Sequence, residues 1–158
     1  MECVEKSASS SQKPSQFTVF KEASMDQQKQ LEQLILVNID AAKAMLDEYG
    51  LVLPFGARAF NNSEDIKMHC PGADDMQADW NDQINMVIDE LKKYIASEDI
   101  FATALVTSLE SEDGSGIGLQ VETNNSSALF VYPCNKKDGE WVIEEPVETD
   151  QLLASVYS

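Results

Sequence analysis

From Asp99 to Glu145 the chain is a close succession of β-prone runs, and this feature leaves few folds open to it. "DIFATALVTSLE" reads as one long strand, and "SEDGSG" as a turn built around Asp113-Gly114. "IGLQVET" alternates, which puts Ile117, Leu119 and Val121 on one face. Asn124-Asn125 turns the chain into "SALFVYPC", and Lys136-Lys137-Asp138-Gly139 turns it into "EWVIEE". Turns this short join antiparallel neighbours, because a parallel crossover needs about a dozen residues or more. Pro146 is expected to end the sheet, with a short helix over 149–157 closing the chain. A meander of this kind has a face to bury, so the preceding residues must supply its cover.

Two amphipathic helices supply that cover. Ser24 followed by Gln27 is a capping-box pattern. Leu31, Leu34, Ile35, Asn38, Ile39, Ala42, Met45, Leu46 and Tyr49 then recur at helical spacing until Gly50 stops them. Leu36 and Val37 lie partly outside this stripe and suggest a second contact, such as a homodimer. A second helix is expected to open at Asp74 with Gln77, after "CPGADD" breaks the chain. Its inward face is Trp80, Ile84, Val87, Ile88, Leu91, Tyr94 and Ile95. Between the helices lie "LVLPFGARAF", a loop at "NNSED" and a shorter strand around Ile66–His69.

The expectation is therefore an α+β fold, an antiparallel sheet of about five strands covered by two amphipathic helices, in the order α-β-β-α-β-β-β-(α). Residues 1–16, rich in Ser, Lys and Gln, read as a disordered tail. Residues 17–158 read as a single domain, in which "FTVF" at 17–20 is either a short strand or an apolar clip. The folded pattern begins at Met25, which makes that residue an alternative start.

In "LVLPFGARAF", Leu51, Leu53, Phe55, Ala57 and Ala59 share one face, and Val52, Pro54, Gly56, Arg58 and Phe60 share the other. Pro54 cannot donate to a ladder, which places the segment at a sheet edge or a bulge. Gly56 permits a bulge or the close approach of another backbone. Arg58 is the only arginine in the chain. It is expected to pair with one of the abundant acids on a bent edge strand; the functional alternative is that it meets an anion.

A helix followed by Gly-x-x-x-Pro-Phe-Gly-Ala (Gly50–Ala57), a further helix and a meander resembles a group of small acidic bacterial proteins of unknown function. The element order is also similar to the dimeric secretion-chaperone type and the roadblock type of α+β domain. What the resemblance implies is a non-enzymatic binding module. It brings no site residues.

Eleven basic against 28 acidic side chains give a net charge of −17. Such a field repels nucleic acid and anionic membranes and draws cationic partners. Residues 98–158 carry two basic and twelve acidic side chains, a net −10, so a basic protein partner is expected to dock there. The candidate contacts are Glu110, Glu112, Asp113, Glu122, Glu144 and Glu145.

Catalytic patterns are sparse. His69, the single histidine, stands beside Cys70, which suggests a thiol–imidazole pair or a metal site with Asp74 and Asp75. Adjacent strand positions face opposite ways, and one imidazole with one thiolate lacks metal-ligand spacing. "ESEDGSG" lacks the calcium-loop pattern, and neither GxSxG nor GxGxxG occurs. No cofactor or metal is expected. Three cysteines without CxxC spacing suit a reducing cytoplasm. No run approaches the roughly 18 apolar residues of a membrane span. The sequence thus reads as a non-catalytic, cytoplasmic interaction protein of immunity, chaperone or nucleic-acid-mimic type. The alternative is a small-molecule binder or enzyme with a pocket near Arg58, His69 and Cys70.

Overall fold

The structure is a computed structural model described over residues 24–61, 63–70, 79–111, 114–124 and 126–149. Helix α1 (Met25–Tyr49) starts with the expected capping box: the Ser24 side chain accepts from the Gln27 amide, and the Gln27 side chain accepts from the Ser24 amide. Gly50 ends it in the left-handed conformation, φ 77°. Strands β1 (Phe55–Phe60) and β2 (Ile66–His69) follow, then helix α2 (Trp80–Ser97). The meander comprises β3 (Ile100–Ser111), β4 (Gly114–Thr123), β5 (Ser127–Lys137), β6 (Glu140–Ile143) and β7 (Val147–Thr149).

All seven strands form one antiparallel sheet in the order β2-β1-β3-β4-β5-β6, with β7 also paired to β5. The α+β class holds, and the sheet is larger than the five strands expected. The β5–β6 turn places Asp138 and Gly139 at φ 54° and 83°. Two successive positive φ values match the twist of a tight hairpin.

The two faces of the sheet are chemically unlike. On one face Ala57 pairs with Ala104 and Ala59 with Ala102, while Leu119 sits between Val106 and Phe130. These residues join Leu31, Leu34, Ala42 and Leu46 of α1 in one buried core. The small alanines of β1 and β3 leave room for the leucine-bearing side of α1. Asn38, inside that stripe, is buried and donates to the Leu34 carbonyl at 2.6 Å. On the opposite face α2 packs Val87, Ile88 and Leu91 against Leu105. That face also buries Arg58, Thr103, Thr107, Gln120 and Glu122 beneath or beside the helix. One side is thus an apolar core, and the other, where Leu129 is buried opposite Gln120, mixes apolar with polar side chains.

Several local expectations change. Segment 51–60 is not an edge strand, because β1 runs between β2 and β3, and Pro54 precedes the ladder at the strand's entrance. The bulge is real, but it falls between Ala59 and Phe60. Pro146 does not end the sheet. Residues Glu144, Glu145 and Pro146 stand opposite only Tyr132 and Pro133, so β6 and β7 are one edge strand interrupted by a bulge. Proline is tolerated there because its missing N–H removes nothing from a neighbour. Helix α2 begins at Trp80, with Asp79 at its N-cap position, and Trp80 is exposed rather than inward-facing. Tyr49 likewise leaves the α1 stripe for solvent. The tail over 1–16, "FTVF", Asp74, Asp75, Gln77, Glu112, Asp113 and, beyond Thr149, which ends β7, the rest of the closing helix expected over 149–157 lie outside the described residues.

Candidate functional site

Arg58 projects from β1 toward α2 and is 5% exposed. Its Nε donates to Glu98 Oε1 at 2.8 Å, and its Nη1 meets His69 Nε2 at 2.5 Å. Its guanidinium lies 3.7 Å from the centroid of the Tyr94 ring and 5.5 Å from that of Phe60. A buried cation needs this much compensation: a carboxylate, a lone pair and an aromatic face. The last turn of α2 supplies Tyr94, and Glu98, the extended C-cap residue whose amide donates to the Tyr94 carbonyl, supplies the carboxylate.

His69 stands beside Arg58 as the register partner of Gly56 across β1 and β2. Gly56 itself is where α2 comes closest to β1. A Cβ at position 56 would stand 2.8 Å from Val87 Cγ1, 2.9 Å from the Ala104 carbonyl oxygen and 3.2 Å from Leu91 Cδ1. Close approach was expected from a backbone, and it comes from α2 side chains as well. The His69 ring also lies 5.3 Å from Tyr94, tilted by 44°. Burial first, and the Arg58 charge second, push its imidazole below the ordinary value, against the opposing pull of Glu90 and Glu98.

Outside the cluster a groove of about 540 Å³ runs between β2 and α2, lined by His69, Cys70, Met86, Val87, Asp89, Glu90 and Lys93. Cys70 is an exposed free thiol, and partial burial of its sulfur raises its pKa, which keeps it protonated and weakly nucleophilic. Of the three residues singled out as a pocket, Arg58 and His69 therefore meet directly, and Cys70 joins His69 on the groove wall. The partners Tyr94 and Glu98 were not foreseen; Tyr94 on the inward stripe of α2 was the available signal, and Glu98, at the extended C-cap, left none. Among the described residues no group of three or more His, Cys, Asp and Glu side chains is placed to hold a metal ion.

The acidic candidates fall apart by position. Glu110, Ser115, Cys134 and Ile143 form one cross-strand row from β3 to β6. Glu110, which accepts from Ser115 Oγ at 3.1 Å, therefore stands level with Glu144 and Glu145 at the start of the edge bulge. Glu144 accepts from the Asn135 side chain, and its amide donates to the Pro133 carbonyl at 2.8 Å. Glu140 is exposed on the same edge strand, and Glu148 is half-buried there. Glu122 is instead 3% exposed on the α2 face, so its carboxylate does not belong to this surface. Lys136 and Lys137 are the exposed cations beside the edge, with Lys136 lying 5.5 Å over the Trp141 ring. Glu144 also acts inward: burial first, and this carboxylate second, raise the Cys134 thiol to about 11.

The fold and these sites define an α+β domain with a helix on each face of an antiparallel sheet, a buried arginine cluster on one side and an acidic broken edge. Compared with known protein families, curated proteins and solved structures, the chain finds no match. No helix among the described residues is long and apolar enough to cross a membrane.

Proposed function

We propose that this chain is a non-catalytic interaction protein of the cytoplasm whose acidic β6–β7 edge receives a basic protein partner. One observation supports this reading above the rest. The strand register gathers Glu110, Glu140, Glu144, Glu145 and Glu148 along one end and edge of the sheet, in a chain of net charge −17. A carboxylate-lined edge steers a cationic surface and raises its on-rate, and salt weakens that attraction. An inhibitor of a basic toxin, a chaperone for a basic segment and a mimic of nucleic acid all fit this chemistry.

The test is retention of proteins from the source lysate at low and at moderate salt, run in parallel with a Glu144→Lys/Glu145→Lys variant. The reading expects one stoichiometric basic protein that is lost as salt rises and lost by the variant. A partner held equally by both proteins would place the interface elsewhere.

A second reading draws on the groove beside the arginine cluster. Its mixed lining of Lys93, Glu90, Asp89, Met86 and Cys70 suits a small polar ligand. Screening by thermal shift, repeated on Cys70→Ala and Lys93→Ala, would detect such a ligand through stabilisation that the variants lose.

A further inference from the structure

We propose that the contact between His69 and Arg58 is an acid-releasable latch that holds strand β2 onto the sheet, so that protonating this one imidazole frees the edge of β1. The inference is independent of the acidic β6–β7 edge, which lies at the far side of the sheet.

The geometry fixes the protonation state. A guanidinium carries five donors and no acceptor, so the His69 nitrogen that meets Arg58 Nη1 must bear a lone pair. The imidazole is therefore neutral, with its proton on Nδ1. A second proton would set donor against donor and positive charge against positive charge at contact distance. The surroundings do not absorb that charge. Glu98 is already bonded to Arg58 Nε, and Lys67 on β2 and Lys93 on α2 add positive charge nearby. Glu90, with Asp89 beside it, and Glu98 pull the other way, but burial and the Arg58 charge outweigh them.

Which side gives way is set by packing. Arg58 is held by Glu98, by the Tyr94 and Phe60 rings and by a backbone paired with β3. Strand β2 has four residues, pairs among the described residues with β1 alone and contributes nothing to their fully buried set. A short edge strand with half-buried side chains is where local opening costs least. Charge on His69 therefore displaces β2 and leaves Arg58 in place. The direction with pH follows from the depressed imidazole. The stabilising contribution is complete above the ordinary histidine pKa and is lost as pH falls through the lower folded value. Carboxylates titrate mostly below this range, and no second histidine exists to confuse it.

The test is amide hydrogen exchange of residues 66–69, corrected for intrinsic rates, at about pH 7.5 and about pH 5. Protection of β2 should fall roughly tenfold or more on acidification while β3, β4 and β5 keep theirs. The His69→Gln variant, whose carbonyl oxygen can still accept from Arg58 but never ionises, should keep β2 protected at both pH values. In the unmodified protein the single imidazole resonance should titrate below its ordinary value. Unchanged β2 protection, the same loss in His69→Gln, or an imidazole that titrates at or above the ordinary value would each overturn the latch.

Discussion

Arg58 shows how a single side chain can decide what its neighbours must be. A buried guanidinium stays charged, so β1 can keep it only if α2 and the residue that caps it place an aromatic ring and a carboxylate within reach. Glu98 is the more replaceable partner, being 31% exposed. Glu98→Ala should cost about 2 kcal/mol of stability, the worth of a hydrogen bond to a charged group. Glu98→Gln, which keeps an acceptor but loses the charge, should cost about half of that. Urea unfolding of the two variants checks the order; equal losses would mean that the charge alone carries the pair, and no loss in either would mean that Tyr94 and His69 hold the arginine unaided. The pairing of Arg58 with an acid was legible in the sequence, because an excess of carboxylates makes it hard for one arginine to avoid them. Which acid was not legible, since Glu98 lies 40 residues away and reaches β1 only through the crossing of α2 over the sheet.

At the scale of elements, short-range signals carried furthest. The Ser24–Gln27 box and Gly50 bounded α1 correctly because capping is local chemistry, settled within one turn of the chain. The β3–β4–β5 meander was legible for the same reason, its turns being written in Asp, Asn and Gly. Strand order was not. Pro54 pointed to an edge or a bulge, yet the long-range pairing of β1 with β3 placed it at the mouth of an interior strand whose bulge lies at the other end. Pro146 looked like a terminator because a bulge that admits one extra residue leaves no mark other than the proline itself. The fit of α2 onto β1 is also a long-range matter, and Gly56 is its most exacting point. Gly56→Ala should destabilise the fold by about 1–3 kcal/mol, because the added methyl meets both a packed valine and a backbone carbonyl. Adding Val87→Ala should recover only part of the loss, since the Ala104 carbonyl cannot retreat. Full recovery in thermal or urea unfolding would show that the side chain alone sets the spacing.

For the whole molecule the dominant quantity is charge. A net −17 on a chain of this size repels itself, and self-repulsion works against the compact state. Raising salt from about 10 mM to about 300 mM shortens the screening length several-fold, so the melting temperature should rise. A flat or falling curve would mean that the carboxylates are already compensated locally, and would weaken the acidic-edge reading with them. The latch at β2 should respond to pH rather than to salt, because its charges meet at contact distance and half-buried.

The interrupted β6–β7 strand has a further consequence. An open strand invites another copy of itself, and sheets that accept the invitation grow into fibres. Here a second copy laid along the edge would find Pro146 without a donor, a kink at Glu144 and Glu145, and its own carboxylates set against identical ones. The exposed Val147 is the only apolar side chain in β7, and it stands between acids at 145 and 148. The same few residues that would welcome a basic stranger make the protein a poor template for its own polymerisation.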